Sequence, residues 1–149
     1  MADTFDGNPN GGSGRCMCGS VRYKVDGPLR SIIFCHCIEC QRMAGGFWAA
    51  TGCYSDTLSI EDPKDALRWY QSSDHARRGF CAKCGSSMFY QSDQRPNMAG
   101  ITAGTLDRPT GLKARVHIFT REAGDYYDIE GDLPKFEDFS HGLTLPPRD

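Results

Sequence analysis

Apolar residues in this chain occur in short stretches that are separated by turn-forming residues. Residues 21–25 alternate apolar and polar side chains, which is the period-two pattern of a half-buried strand. Asp26, Gly27 and Pro28 then end this predicted strand, because Gly and Pro favour turns.

Similar stretches predict seven further strands and one short helix. The spacing between successive strands is about 10 residues, and the chain contains 17 Gly and 8 Pro, so the pattern favours a mostly β domain. The only helical signal is one or two turns over residues 38–43. The further strands are predicted at residues 31–34 (running into Cys35), 47–53, 58–60, 67–70, 88–90, 98–102 and 116–119.

The length of 149 residues indicates a single domain. Residues 1–13 are rich in Gly and Asn and predict a flexible arm, residues 14–140 form the predicted domain, and residues 141–149 form a tail that ends in Pro-Pro-Arg-Asp. No repeat with a period of 20–50 residues is present in the sequence.

The composition indicates a small apolar core and a nearly neutral net charge. Leu, Ile, Val and Phe together make up about 17% of the chain, so a metal or disulfide staple is expected to stabilise it. The longest apolar runs have four residues, which argues against a membrane span. The formal charge of −2 gives no reason to expect nucleic acid as a partner. The first residues lack the pattern of a secretory signal, so we expect a cytoplasmic protein with reduced thiols.

The eight cysteines supply the candidate chemistry. Seven of them fall into three clusters, and two of the clusters are followed directly by glycine, which allows a tight turn that points backbone N–H groups at the sulfurs. The clusters are Cys16-x-Cys18-Gly19, Cys35-x-Cys37-x-x-Cys40 and Cys81-x-x-Cys84-Gly85, with Cys53 left as a single cysteine.

Counting ligands suggests two different metal sites. The first and third clusters together offer four thiolates, the set of a closed structural zinc site, and would close a long loop of the chain. The middle cluster offers three thiolates, which leaves the fourth position of a tetrahedral zinc open for substrate. Such a sulfur-rich site suits a soft ligand, so we expect it to bind a substrate thiol and to lower the pKa of that thiol.

Other interpretations of the cysteines stay open. They could form disulfides, or a thioredoxin-like redox pair, although no βαβ pattern surrounds them. The middle cluster could also hold a second purely structural zinc, with a fourth ligand from His36, Cys53, His75 or His117. Because His36 stands between two ligands, its side chain is expected to point away from the metal, and Cys53 is expected to be a small buried apolar residue.

Several motifs together resemble the glutathione-dependent formaldehyde-activating enzyme family, which includes the centromere protein V-type domain. They are GRCMCGSVRY at 14–23, CHCIECQR at 35–42, RGFCAKCGS at 78–86, AGTLD at 103–107, His117-Ile118 and Leu133-Pro134. This resemblance covers roughly residues 12–136. The chain departs from the family at Tyr126-Tyr127, where a Trp is common, and at Cys53, where an apolar strand residue is usual.

The resemblance implies a β-tent fold similar to that of methionine sulfoxide reductase B domains. It implies two Zn²⁺ per chain, a structural one on Cys16, Cys18, Cys81 and Cys84 and a more labile one on Cys35, Cys37 and Cys40. The activity implied is a carbon–sulfur lyase reaction, the condensation of formaldehyde with glutathione to S-hydroxymethylglutathione. A small thiol such as glutathione is therefore the expected partner.

The carboxylates of glutathione require cationic or N–H partners. Arg42 and Arg78 follow and precede ligand clusters and are candidates, although Arg78 could instead pack on Phe80 or pair with Asp107. Two non-enzymatic functions remain as alternatives: a zinc domain that binds a protein or a small thiol, and a thiol or metal carrier.

Overall fold

Short strands account for most of the regular structure. The computed structural model describes residues 5–139 and 142–148, and over these ranges it contains ten strands, one α-helix and three 3-10 turns. The strands are β1 (Gly12–Arg15), β2 (Arg22–Val25), β3 (Ile32–Cys35), β4 (Trp48–Tyr54), β5 (Leu58–Glu61), β6 (Leu67–Gln71), β7 (Ala76–Cys81), β8 (Ser87–Ser92), β9 (Met98–Thr102) and β10 (Ala114–Ile118). Helix α1 is Ile38–Ala44, and the 3-10 turns are Ser55–Thr57, Ala103–Thr105 and Thr120–Glu122. The predicted mostly β class is confirmed.

The strands form two sheets. The smaller sheet is antiparallel, with the order β1-β2-β5. The larger sheet has seven strands in the order β10-β3-β4-β9-β8-β7-β6. Its neighbouring strands are antiparallel except for β10 and β3, which run parallel.

The main apolar core joins the two sheets. On β2, Tyr23 and Val25 are buried while the residues between them are exposed, as the alternating pattern predicts. They belong to one cluster with Phe89 and Ile101 of the larger sheet. The ring of Tyr23 meets that of Phe89 edge to face, with centroids 5.4 Å apart.

The opposite face of the larger sheet carries a second, smaller cluster that includes Ile33, Trp48 and Ala50. Cys35 and Cys40 belong to this cluster, so the middle cysteine motif lies on this side of the sheet. The face that packs away from the main core therefore positions the candidate site.

The eight strands and the helix predicted from the sequence are present, with bounds that differ by one or two residues. Two strands were not predicted. Strand β1 begins within the predicted arm, where Asn8 also pairs with Leu29, and β7 is hidden in the sequence by Arg77 and Arg78. The domain bounds themselves stay a prediction, and residues 140 and 141, where the predicted domain meets the predicted tail, lie outside the described residues.

None of the helices in the described residues has the length and apolar character needed to cross a bilayer.

Candidate metal centres and the adjoining cavity

The first and third cysteine clusters meet in space. Cys16 and Cys18 follow β1, Cys81 ends β7, and Cys84 lies in the turn before β8. Their four Sγ atoms all lie within 4.8 Å of one another. The Cys16–Cys18 and Cys18–Cys81 Sγ distances are 3.7 Å and 3.8 Å. A tetrahedral zinc with Zn–S bonds of about 2.3 Å separates its sulfurs by about 3.8 Å, so this group fits the ion.

Glycine closes the turn in both halves of this four-cysteine group. Gly19 and Gly85 have φ of 79° and 82°, a left-handed conformation that side chains disfavour. The Gly19 N–H donates to the Cys16 carbonyl at 3.2 Å, and the Gly85 N–H donates to the Cys81 carbonyl at 2.7 Å. In the first turn, the Val21 N–H also donates to the Cys16 Sγ at 3.4 Å.

Two serines adjust the charge of the same group. Burial acts to raise the pKa of the Cys84 thiol, but hydrogen bonding with Ser86 and with nearby backbone outweighs it and lowers this pKa to about 5. Ser20 in the same way lowers the pKa of Cys18. The thiolate form, which zinc requires, is therefore favoured at Cys18 and Cys84 before any metal binds, whereas burial raises the pKa of Cys81 to about 11.

The three cysteines of the middle cluster lie at a strand-to-helix junction. Cys35 ends β3, Cys37 is the N-cap of α1, and Cys40 lies in the first turn of that helix. The Cys40 N–H donates to the Cys37 Sγ at 3.3 Å, which caps the helix with sulfur. The three Sγ atoms lie within 4.8 Å of one another, and no fourth Cys, His, Asp or Glu of the described residues joins the group. The three sulfurs thus suit three corners of a tetrahedral metal.

The charge of this three-cysteine group is concentrated on one sulfur. Hydrogen bonds from Cys35 and then from Cys40 hold the pKa of Cys37 well below its usual range. The hydrogen bond with Cys37, as the largest cause, and the one with Cys40 raise the pKa of Cys35.

None of the four residues considered as a fourth ligand reaches this group. His36 points away from it, as predicted: its Nδ1 lies 2.5 Å from the Tyr127 hydroxyl and its Nε2 lies 2.9 Å from the His117 Nδ1. Cys53 is fully buried in the main core, as predicted. His75 is exposed and faces Asp93 at 3.3 Å.

Arg78 lies directly beside the three-cysteine group. Its Nη1 and Nη2 atoms lie 3.6 Å and 3.7 Å from the Cys40 Sγ, although Arg78 is only 6% exposed. The guanidinium also faces the rings of Tyr90 and Trp48, at 5.1 Å and 5.6 Å from their centroids. Its buried Nε has no hydrogen-bond partner among the described residues.

The pairing of Arg78 with Asp107 that the sequence left open is not the one that the structure shows. Asp107 instead accepts a hydrogen bond from Ser13 at 2.7 Å. The carboxylate nearest to Arg78 is that of Glu39, at 4.0 Å.

A cavity of about 580 Å³ opens beside the cysteines. Its walls include Cys35, Cys37, Cys40, Trp48, Arg78 and Tyr90. Two glycines of its floor, Gly52 and Gly100, pair across β4 and β9. A Cβ on Gly100 would lie 3.2 Å from the Tyr90 Cβ, so glycine here is what leaves the space open. A cavity of this size accommodates a small ligand.

Arg42 is placed differently from Arg78. It is exposed and lines a separate small depression with Gln41 and Tyr126. Its contact with a substrate stays a prediction that the position of the main cavity does not support.

Comparison with known proteins identifies the family of the chain. The sequence profile described as glutathione-dependent formaldehyde-activating enzyme matches residues 12–122. A Halomonas elongata protein, provisionally named a glutathione-dependent formaldehyde-activating enzyme, is 28% identical over 128 residues, which are 78% of this chain and 80% of the relative. An uncharacterised lyase of Schizosaccharomyces pombe is 22% identical over 123 residues, 83% of this chain and 88% of the relative.

A crystal structure of a Rhodobacter sphaeroides protein shares the fold. It superposes with a TM-score of 0.56 at 22% identity, over 83% of this chain and 98% of that one. Because the family profile spans most of the chain, including every clustered cysteine, the chain belongs to the glutathione-dependent formaldehyde-activating enzyme family.

Proposed function

We propose that this protein is a carbon–sulfur lyase-type enzyme that joins a small thiol to formaldehyde and also catalyses the reverse cleavage. The observation that carries the proposal is the three-cysteine group, which lacks a fourth protein ligand among the described residues and borders a cavity. The family and the names of the two relatives favour glutathione, formaldehyde and lyase chemistry.

We assign the two cysteine groups to two zinc ions with different roles. The four-cysteine group, Cys16, Cys18, Cys81 and Cys84, would hold a closed structural ion, and Cys35, Cys37 and Cys40 would hold the second. Zinc at the second site would supply an open coordination position that binds a soft sulfur ligand and lowers the pKa of a thiol. The all-sulfur donor set favours zinc over the hard cations Mg²⁺ and Ca²⁺.

Arg78 would hold negative charge in place at this site. Its guanidinium already contacts the Cys40 Sγ, so a positive charge lies close to the place that the sulfur of a substrate thiolate would approach. The Arg78 guanidinium also lines the cavity, so its N–H groups can face a bound substrate. We assign one of these donors to the carbonyl oxygen of formaldehyde, which gains negative charge as the bond to sulfur forms.

The reaction balances with the thiol and the aldehyde alone. The thiol loses its proton, a bond forms between the thiolate sulfur and the carbonyl carbon, and the carbonyl oxygen takes up a proton to become a hydroxyl. In the reverse direction the hydroxyl loses its proton and the carbon–sulfur bond breaks. The rings of Trp48 and Tyr90 would shield the reacting atoms from water and strengthen the electrostatic contacts.

Exchange NMR tests the proposed function. Formaldehyde is mixed with glutathione, and the exchange rate between free thiol and S-hydroxymethyl adduct is measured with and without the zinc-loaded protein. We expect faster exchange with the wild type than without protein, and no acceleration by Cys37→Ser. A rate equal to the uncatalysed one with several thiols would reject the enzyme and favour a zinc domain that binds thiols without turnover.

A further inference from the structure

Two arginines line the cavity at a distance from the cysteines. Arg30 precedes β3, Arg95 lies in the turn between β8 and β9, and both border the same cavity as the three-cysteine group. The pairing of β4 places the backbone of Arg30 away from the three-cysteine group. Cys35 pairs with Trp48, whereas the Arg30 N–H bonds to the Gly52 carbonyl at 2.9 Å. Four residues of strand separate these two points by roughly 13 Å.

Arg30 is held over the floor of the cavity. Its Nε donates to the Ser31 carbonyl and its Nη2 to the Ala50 carbonyl, both at 3.3 Å. Its Cζ lies 3.4 Å from the point that a Cβ on Gly52 would occupy, so a larger residue there would crowd the guanidinium. Arg95 is exposed, and its guanidinium lies 4.4 Å from the centroid of the Phe139 ring.

Neither arginine has an anionic partner within the described part of the chain. No carboxylate among residues 5–139 and 142–148 lies within 4.0 Å of either guanidinium, whereas Arg115 and Arg148 pair with Asp6 and Asp56. The two cations also oppose one another. Burial first, and then the charge of Arg95, lowers the pKa of Arg30 to about 10. An anion placed between the two guanidinium groups would relieve this repulsion.

We propose that Arg30 and Arg95 form an anion subsite that binds a carboxylate of the thiol substrate. The subsite therefore selects peptide-like acidic thiols over small neutral thiols. This specificity rests on the proposed function, but the binding of the anion itself does not require the reaction.

Calorimetric titration of the zinc-loaded protein with S-methylglutathione tests the subsite apart from catalysis, because this probe keeps the carboxylates and has no thiol. Arg95→Gln is the main variant, since Arg95 is exposed and its loss leaves the strands intact. Arg30→Gln is the second variant. Arg68→Gln is the matched control, because Arg68 is an exposed arginine outside the cavity wall.

We expect Arg95→Gln to weaken binding about tenfold, the effect of losing one charge-assisted contact. Arg68→Gln should leave the affinity unchanged. The diester of S-methylglutathione should bind at least about tenfold more weakly, and added salt should weaken the wild type more than the variant. Equal affinity of Arg95→Gln and Arg68→Gln, equal affinity of the diester, or no binding to the wild type would overturn the subsite.

Failure of the proposed function has a different signature. S-methylglutathione would then still bind with the expected dependence on Arg95 while the exchange of glutathione adducts stayed at the uncatalysed rate. Conversely, equal acceleration by wild type and Arg95→Gln with both acidic and neutral thiols would reject the subsite and retain the enzyme.

Discussion

The Arg78 guanidinium lies 3.6 Å from the Cys40 Sγ through Nη1 and 3.7 Å through Nη2, in a position that is nearly closed to solvent. A buried cation beside a buried thiol stabilises the thiolate form of that thiol. The contact thus connects β7 to helix α1 and places positive charge at the wall of the cavity. Arg78 thus brings a cation of β7 into direct contact with the three-cysteine group.

Replacing Arg78 removes this charge. We expect Arg78→Gln to lower kcat/KM for adduct formation by about tenfold or more, the scale of a lost donor to developing charge. Arg78→Lys should recover part of the rate, because it keeps the charge but loses the planar set of guanidinium N–H donors. The control is Arg77→Gln, an exposed arginine on the same strand that stacks on Trp69. Equal rates of Arg78→Gln and Arg77→Gln would reject the role of Arg78.

The two cysteine groups should respond differently to the loss of one ligand. Cys81 and Cys16 stand 65 positions apart in sequence, so a metal between them closes a long loop. We expect Cys81→Ser to lower the melting temperature by about 10 °C or more, since structural zinc contributes folding energy. Cys37→Ser should lose the second zinc and keep most of its thermal stability. Melting curves and a zinc count check this, and similar unfolding of both variants would reject the division of roles.

Tyr127 should matter for retention of the second zinc. Its hydroxyl lies 2.5 Å from the Nδ1 of His36, which stands between Cys35 and Cys37. Tyr127→Phe leaves that buried nitrogen without a partner, so we expect a loss of about 1–3 kcal/mol in the free energy of unfolding. Zinc should also transfer from Tyr127→Phe to a chromophoric chelator faster than it does from the wild type.

Tyr126→Phe is the matched control for Tyr127→Phe, because Tyr126 is 70% exposed. Release of zinc at one common rate from both variants would show that the hydrogen bond to His36 does not hold the ligands.

Cys53 should make stability depend on alkaline pH. Burial raises the pKa of its thiol to about 11, whereas an unfolded cysteine ionises near 8.5. Between these values the unfolded chain has lost a proton that the folded chain keeps, so stability falls as pH rises from about 8.5 to 11. The free energy of unfolding in urea should therefore fall more steeply with rising pH for the wild type than for Cys53→Ala, and parallel curves would contradict this.

Native Cys53 should also resist thiol reagents, since it is 0% exposed.

The cysteine sets and most strands could be predicted because their signals are local. Metal-ligating cysteines keep short spacings, and the alternation at residues 21–25 reports directly which side of β2 is buried. Pairing of the first and third clusters rested on the four ligands of a closed zinc site and on the glycine that follows each pair.

Tertiary contacts could not be found in this way, even for Arg78, which the sequence did identify as a candidate substrate contact. Arg78 is charged, so the pattern hides both its strand and its burial, which depends on Cys40, Trp48 and Tyr90. Arg30 and Arg95 are 65 positions apart, and only the cavity brings them together.

Arg42 lies outside the main cavity although it is close to Cys40 in sequence. It follows Cys40 by two residues, and two residues of α-helix turn the side chain by about 200°. It therefore lies outside the wall that Cys40 helps to form. A position three or four residues from Cys40 would have shared its face of the helix.

The visible absorption spectrum of the cobalt-substituted protein tests the central claim most directly, namely that the three-cysteine group leaves a metal position open to a substrate thiol. With two cobalt ions bound per chain, addition of glutathione should change the ligand-field bands and saturate at one thiol per chain. S-methylglutathione should not produce this change, and Cys37→Ser should abolish it. An unchanged spectrum at saturating glutathione, with both metals still bound, would contradict the claim.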